Sequence, residues 1–352
     1  MSIAIQEITY GAYGRCLQLS NGLCDLVVTL DFGPRIVRYG FIGKENMFCE
    51  APQMQDGNGF RLGGGHRLWH SPEHPKRTYE ADNNPVEWEE IEDGIRTYQK
   101  PEPWAMMEKQ MDICLDGEST GVTIVHRIVN RGAWTAELAA WAITVMAPGG
   151  KQVLPMTQRD TGLLPNRNLI LWPYTHLQDH RVWWGDRFIT IQQDATKQAF
   201  KIGLNSEIGW AAYFNHGQLF IKQHIHEMGE TYPDGGCSYE TYTTDFMMEM
   251  ETLSPLIKVE PGEEVEHMEC WALADGVPVP ENDDEAITAL MTEILGDNCC
   301  DCCGDGCCCD DDCDCDCDCD CDCEDDDEEC GCGCGHDHEH HHHDHNHEHH
   351  HH

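Results

Sequence analysis

The amino-acid composition changes abruptly after Asn298, and this break decides which part of the chain can fold. Beyond it the chain consists of Cys, Asp, Glu, Gly and His with a single Asn, and it contains no Leu, Ile, Val or Phe. A segment without apolar side chains cannot bury a core of its own. We therefore predict one folded domain over residues 1–298, followed by a low-complexity tail over residues 299–352 that is disordered without metal.

The first 298 residues consist mostly of short strand-like runs separated by Gly, Pro, Asn and Asp, which is typical of an all-β sandwich. Asn215-His216-Gly217 is a turn sequence and predicts a hairpin. The alternation in residues 248–252 places Glu249 and Glu251 on one face of a strand and Met248, Met250 and Thr252 on the other. Residues 60–109 show little periodicity, so they are expected to be functional loops or else to contain elements that the pattern does not reveal. Strands are predicted over residues 26–30, 35–41, 122–129, 138–146, 188–192, 210–214, 219–223, 246–253 and 265–273.

One amphipathic helix is predicted at the end of the domain. Asn282 is placed to cap its N-terminus with Glu285 at the third helical position, and Gly296 is placed to end it. The apolar positions between them recur at helical spacing, so the helix is expected to pack on the sandwich. The fold prediction is thus a large antiparallel β-sandwich with one short C-terminal helix.

The net charge of −42 limits the partners of the chain. The tail holds 20 of the 64 acidic residues, and no Lys or Arg follows Lys258. Such a chain repels nucleic acid and anionic membranes, so neither is expected as a partner. Without a signal-peptide pattern or an apolar run near 20 residues, the expected location is the cytoplasm. In a reducing compartment, the 16 Cys of the tail favour metal ligation over disulfides.

Four segments carry a resemblance to a known family. They are GGGHRLWHSPE (63–73), LLPNRNLILWPY (163–174), YPDGG (232–236) and EMETLSPL (249–256), the last followed by Pro261-Gly262-Glu263. Over nearly all of residues 1–273 the chain resembles an uncharacterised bacterial family, domain of unknown function 4380, of the galactose-mutarotase-like superfamily. The resemblance implies a large antiparallel β-sandwich with a sugar-binding groove on a concave face.

The superfamily also implies a reaction. In its enzymes a Glu takes the proton from the anomeric hydroxyl of an aldose and a His protonates the ring oxygen. By resemblance, Glu251 is the base, because its strand is similar to the one that holds the base in hexose-phosphate epimerases. His66, in an expected Gly-rich loop, is the implied acid, with His70 and His74 as alternatives. The strand predicted over residues 138–146 lacks a His that many of these enzymes have, which leaves catalysis open.

A groove for a sugar or sugar phosphate needs flat aromatic faces and planar polar groups. The sandwich is expected to need no cofactor. The residues predicted to bind substrate are Arg61, Arg67, Trp69, His70, Arg167, Lys222, Asp234 and Glu240.

The tail is predicted to bind transition-metal ions, because thiolates and imidazoles are ligands for Zn, Ni, Cu and Cd. Its acidic residues would concentrate cations; the alternatives are a purely solubilising extension or, for the last histidines, a purification tag. The predicted ligands are Cys299, Cys300, Cys302, Cys303, Cys307, Cys308, Cys309, Cys313, Cys315, Cys317, Cys319, Cys321, Cys323, Cys330, Cys332, Cys334, His336, His338, His340, His341, His342, His343, His345 and His347.

Three functions therefore remain open from the sequence. The first is an aldose epimerase that uses Glu251 and His66. The second is a non-catalytic sugar-binding or sensor domain. The third is metal buffering or storage through the tail, with the sandwich as a carrier.

Overall fold

The structure is a computed structural model that describes residues 3–56, 59–195 and 198–296. The tail and all its predicted metal ligands lie outside the described residues. The strands are β1 (Ala4–Thr9), β2 (Arg15–Ser20), β3 (Cys24–Thr29), β4 (Ile36–Phe41), β5 (Glu50–Gln55), β6 (Arg61–Ser71), β7 (Glu87–Ile91), β8 (Gly94–Tyr98), β9 (Met107–Leu115), β10 (Val122–Asn130), β11 (Ala136–Met146), β12 (Lys151–Pro155), β13 (Leu169–Leu171), β14 (Val182–Trp184), β15 (Phe188–Gln192), β16 (Phe200–Leu204), β17 (Trp210–Asn215), β18 (Gln218–His224), β19 (Tyr239–Thr243), β20 (Met248–Leu253), β21 (Ile257–Val259) and β22 (Glu264–Asp275).

These strands form two large antiparallel sheets. The first sheet has the order β1-β2-β3-β4-β6-β11-β20-β19-β16-β13, with β5 paired to β6 and β21 paired to β11. The second sheet has the order β14-β15-β12-β17-β18-β22-β10-β9-β8-β7. Apolar side chains of both sheets meet in one core. There Phe48, on the side of the first sheet, packs edge-to-face on Phe220 and Trp271 of the second sheet. The predicted antiparallel β-sandwich is confirmed.

Local signals in the sequence located several elements correctly. Each of the nine predicted strands overlaps a strand of the structure. The predicted hairpin joins β17 to β18, where Asn215 pairs with Gln218 and both His216 and Gly217 have positive φ. A two-residue turn of this kind matches the right-handed twist of the flanking strands.

The predicted helix is α1 (Asp284–Leu295), and its N-terminal cap lies one residue later than expected. The Asp283 carboxylate accepts a hydrogen bond from the backbone N–H of Ala286 at 2.8 Å. Asn282 instead accepts one from the Thr190 hydroxyl, which ties the residue before the helix to β15. Ile287 and Met291 are buried against the second sheet, as the apolar stripe predicts. Within the described part of the chain, no helix is long and apolar enough to cross a membrane.

The prediction of loops over residues 60–109 was wrong, because this region contains β6, β7, β8 and β9. Strand β6 contains three consecutive glycines, Gly63, Gly64 and Gly65, which interrupt the strand pattern of the sequence. All three have positive φ. A Cβ atom at Gly64 would lie 1.9 Å from the carbonyl oxygen of Cys49, and one at Gly65 would lie 2.0 Å from that of Ile36. Glycine is therefore required where neighbouring backbones approach β6, and the strand continues beyond them to Ser71.

Candidate functional site

Strand β20 separates the two faces of the first sheet. Its residues Met248 and Met250 point into the core between the sheets, whereas Glu249 and Glu251 point away from it. This alternation is the one that the sequence predicts, since successive side chains of a strand project to opposite faces. We call the side that bears the two glutamates the outer face of the first sheet.

Glu251 is held on the outer face by two donors. Its Oε2 atom accepts hydrogen bonds from Trp141 Nε1 at 2.8 Å and from Lys201 Nζ at 3.0 Å. Its Oε1 atom has no hydrogen-bond partner among the described residues, although the side chain is fully buried. A carboxylate fixed through one oxygen has the other free to take a proton.

Glu249 forms a second ion pair on the same face. Arg67 Nη2 donates to Glu249 Oε1 at 2.9 Å, and the guanidinium lies 4.2 Å from the centre of the Trp69 ring. Burial raises the pKa of Glu249, and the Arg67 charge opposes that effect. Within the described residues, Nε and Nη1 of Arg67 have no partner, so they are available to hydroxyl groups of a ligand.

Lys201 lies between two carboxylates. Its Nζ atom is 2.7 Å from Glu240 Oε2 and 3.0 Å from Glu251 Oε2. Burial alone would lower the pKa of Lys201, but the two glutamates outweigh it and raise this pKa above its usual value. Glu240 was predicted from the sequence as a binding residue, whereas Lys201 was not. The alternation of Phe200, Lys201 and Ile202 in a strand pattern was the available signal.

Aromatic side chains from two connecting segments contact this face. Trp172 lies against Lys201, with 4.7 Å between the ammonium and the ring centre, and Tyr174 packs edge-to-face on Tyr242. Tyr79 packs edge-to-face on Trp69 and also lines an open cavity of about 510 Å³. The outer face therefore combines buried acidic, basic and aromatic groups beneath two surface segments.

His66 does not share this face with Glu251, which departs from the expectation that both line one groove. It lies in β6 rather than in a loop, and its ring is fully buried between the two sheets. Its Nε2 atom is 2.7 Å from Nε2 of His126, a residue of the second sheet. Because neighbouring residues of a strand alternate, Arg67 is the residue that reaches the outer face.

Burial favours the neutral form of both imidazoles in this interior network. His126 Nδ1 lies 2.9 Å from the backbone oxygen of His267, so this nitrogen carries a hydrogen. In a neutral ring its Nε2 then accepts from His66 Nε2, and His66 Nδ1 accepts from the Thr144 hydroxyl at 2.9 Å. Burial lowers the pKa of His66 well below its usual value and that of His126 to about 3.

The same network offers three potential metal ligands. Atoms of His66, His126 and Glu269 lie within 4.8 Å of one another. However, two ligands of a tetrahedral zinc ion stand about 3.3 Å apart when their bonds are 2.0–2.1 Å long. The two imidazole nitrogens are 2.7 Å apart, and Glu269 is already paired with Lys222 at 2.8 Å. The geometry is that of a hydrogen-bond network.

Lys222 was predicted to bind substrate, and the structure places it in the interior instead. Its ammonium donates to the Thr144 hydroxyl at 3.0 Å and pairs with Glu269, and both charged side chains are fully buried. Lys222 is therefore separated from the outer face by the first sheet itself. Burial lowers the pKa of Lys222, although Glu269 opposes the effect.

The remaining predicted residues are dispersed. His70 lies in the interior 3.4 Å from Glu102, and burial lowers its pKa. Arg61 stacks on the Phe32 ring at 3.7 Å, and Arg167 donates to the backbone oxygen of Thr157. Asp234 accepts from the Ser71 hydroxyl at 3.4 Å. Of the predicted residues, Arg67, Trp69, Glu240 and Glu251 come together on the outer face, and Asp234 lies close enough to Glu240 for its charge to act on that residue.

Comparison with known proteins supports the fold. No protein-family model and no curated protein matches the sequence. A candidate aldose 1-epimerase from Klebsiella pneumoniae superposes with a TM-score of 0.52 at 11% identity over 83% of this chain and 86% of that chain. A galactose mutarotase-like protein from Lactobacillus casei superposes with a TM-score of 0.51 at 8% identity over 74% of this chain and 100% of that one.

A larger protein shares the same architecture. A TPR-domain containing protein from Parabacteroides distasonis superposes with a TM-score of 0.53 at 12% identity over 79% of this chain. The match covers 54% of that protein, about half of its length. Together these structures show that the described domain has the fold of galactose-mutarotase-like proteins.

Proposed function

We propose that this protein binds an aldose on the outer face of the first sheet and interconverts its anomers, with Glu251 as the general base. The observation that carries the proposal is the fixed Glu251 carboxylate, whose Oε2 accepts from Trp141 and Lys201 while Oε1 has no partner in the described structure. The fold supports it, because structural neighbours include a candidate aldose 1-epimerase and a galactose mutarotase-like protein.

The charges of the face favour an unphosphorylated sugar. Arg67 is paired with Glu249, and Lys201 lies between Glu240 and Glu251, so both of these cations already have acidic partners. A phosphate dianion would meet these carboxylates without a free cation. Arg67 and Trp69 would instead hold sugar hydroxyls and a C–H face.

Access to Glu251 requires movement of the segment that bears Trp172 and Tyr174, since both rings contact side chains of the outer face. Such closing segments exclude water from a proton-transfer site. The open cavity beside Tyr79 has the size of a small-molecule site.

Saturation-transfer NMR between the anomers of a panel of aldoses tests the proposal. Wild-type protein is expected to accelerate the exchange for at least one sugar, and Glu251→Gln is expected to lose 10²–10⁴-fold of that acceleration, the contribution of a positioned base. Glu87→Gln is the control, because Glu87 is an exposed residue of β7 in the second sheet. Equal rates for Glu251→Gln and wild type would remove Glu251 from the reaction.

A non-catalytic sugar-binding domain is the second candidate, and the position of His66 favours it. With that imidazole between the sheets, the outer face lacks the acid that the superfamily resemblance implies. Binding of sugars without any faster exchange between anomers would support this candidate over the first.

We also propose that the tail binds transition-metal ions such as Zn, Ni, Cu or Cd through its Cys and His residues. The proposal is supported by ligand chemistry alone: 16 Cys occur among the last 54 residues, together with a histidine-rich end. Metal analysis of the full chain and of a truncation after Gly296 tests it. Equal metal content in the two proteins would contradict it.

A further inference from the structure

Two carboxyl groups face each other on the outer face. Glu240 of β19 and Glu251 of β20 are direct partners across the antiparallel ladder, and such partners have Cβ atoms about 4.5–5.5 Å apart. Both side chains are fully buried. Lys201, on the next strand β16, reaches both of them with one ammonium group.

This arrangement has one positive charge too few. Two ionised carboxylates beside one ammonium would leave a buried net negative charge, which is costly unless a proton neutralises it. The charged groups that face Glu240 are Lys201, Glu251 and, from the segment before β19, Asp234, so the surroundings add negative charge. One carboxyl group of the pair is therefore protonated.

The hydrogen bonds indicate which one carries the proton. Glu251 accepts a second hydrogen bond, from Trp141 Nε1, in addition to the one from Lys201. Within the residues that the structure describes, Glu240 Oε1 has no partner. Burial, with contributions from Glu251 and Asp234, raises the pKa of Glu240 to about 8 in spite of Lys201.

We infer that Glu240 is the general acid of this site and donates the proton that His66, on the far side of the sheet, cannot deliver. The inference rests on the proposed epimerase function and names its second catalytic residue. A carboxylic acid opposite a carboxylate gives one acid and one base on the same face, as in other enzymes that hold two carboxyl groups in different environments.

In the proposed reaction the sugar exchanges one proton with Glu251 and one with Glu240. Glu251 Oε1 takes the proton of the anomeric hydroxyl, and the electron pair of that O–H bond forms the C1=O double bond. The bond between C1 and the ring oxygen breaks, and its electron pair accepts the proton of Glu240. After rotation about C1–C2, the hydroxyl formed from the ring oxygen attacks the other face of the aldehyde and returns its proton to Glu240. The electron pair of the C1=O double bond moves to the C1 oxygen, which takes back the proton from Glu251.

The test compares Glu240→Gln, Glu251→Gln and the control Glu87→Gln in the full-length protein by the anomer-exchange measurement across pH. Glu240→Gln is expected to lose 10²-fold or more of the catalysed rate, since an amide has no proton to donate at neutral pH. In wild type the rate is expected to fall as the pH rises above about 8, when Glu240 loses its proton. A wild-type rate in Glu240→Gln overturns the inference.

A second readout does not depend on catalysis. NMR of protein labelled with ¹³C at the glutamate carboxyl carbons should show one carboxyl that titrates near pH 8 and disappears in Glu240→Gln. If this signal persists in Glu240→Gln, the inference fails. Should Glu240→Gln not fold, Glu240→Asp retains a titratable carboxyl and is expected to exchange anomers more slowly than wild type, with an unchanged rate counting against the inference.

Different results would refute the epimerase function and the role of Glu240. Absence of accelerated exchange in wild type with every aldose that binds would refute the proposed function. Exchange that is lost in Glu251→Gln but retained in Glu240→Gln would refute only the role of Glu240.

Discussion

The position of a residue along a strand decides whether its charge can reach a ligand. His66 and Arg67 are adjacent in the sequence, yet the imidazole bonds to His126 in the interior and the guanidinium bonds to Glu249 on the outer face. Lys201 and Lys222 show the same division, because each is a buried lysine paired with glutamate, on opposite sides of the first sheet. A buried charge of this kind is therefore structural or functional according to the face it occupies.

Replacement of Lys222 should affect stability and leave sugar binding intact. Lys222→Met leaves Glu269 buried without its cation, and the free energy of unfolding is expected to fall by about 3–5 kcal/mol. Urea denaturation measures this loss, and the double variant Lys222→Met/Glu269→Gln should recover much of it. Lys44→Met is a matched control, because the pair of Lys44 with Asp275 is exposed and contributes about 0–1 kcal/mol. Weaker sugar binding at unchanged stability would instead support Lys222 as a substrate ligand.

At the scale of elements, local patterns predicted what the backbone does, and contacts between distant strands decided the rest. Alternation in residues 248–252 placed Glu249 and Glu251 on one face correctly. It could not reveal that β19 lies between β20 and β16, so the sequence did not predict that two glutamates share Lys201. The glycines of β6 suggested a loop in the sequence. They are required because the backbones of Cys49 and Ile36 approach them closely, and local sequence does not show these contacts.

Gly203 of β16 should be required for the packing of the paired carboxyl groups. It lies directly opposite Glu240, and a Cβ atom there would be 2.3 Å from Cys237 Sγ and 3.4 Å from Glu240 Cγ. Gly203→Ala is expected to lower the free energy of unfolding by about 1–3 kcal/mol, the usual effect of overpacking.

A double-mutant cycle with Cys237→Ala identifies the cause. The combined variant should lose less stability than the sum of the single variants, because removal of the thiol makes room for the new methyl group. Additive losses would mean that the thiol is not what opposes the substitution.

The whole sandwich holds two groups of buried ionisable residues with opposite responses to pH. Between the sheets, His66, His126, His224 and His267 are neutral, and burial lowers the pKa of each, to about 3 for His126 and His267. On the outer face, burial raises the pKa of Glu240 to about 8 and also raises that of Glu249. Stability should therefore fall on both sides of an optimum.

A plot of the free energy of unfolding against pH has an acid limb and an alkaline limb on either side of its maximum. The slope of each limb depends on whether the unfolded or the folded state binds more protons. Below pH 6.5 the unfolded chain protonates its histidines while the folded protein does not, so the free energy of unfolding falls with decreasing pH by up to about 1.4 kcal/mol per pH unit for each histidine. Between pH 4.5 and 8 the folded protein retains the proton of Glu240, which stabilises it increasingly as the pH falls. Burial also lowers the pKa of His70, so at least five histidines oppose two glutamates below pH 6.5, and the maximum is expected near pH 6.5.

Urea denaturation at pH 5, 6.5 and 8 locates this maximum, and single variants separate its two limbs. Glu240→Gln should flatten the decline between pH 6.5 and 8. It should also make the fall below pH 6.5 steeper by up to about 1.4 kcal/mol per pH unit, because the Glu240 proton opposes the histidines between pH 4.5 and 6.5. His267→Gln should reduce the acid slope by about 1.4 kcal/mol per pH unit, whereas the exposed His176→Gln should leave both limbs unchanged. A stability that rises steadily from pH 6.5 to 8 would show that Glu240 is ionised in the folded protein, which would also remove the proton on which its role as acid depends.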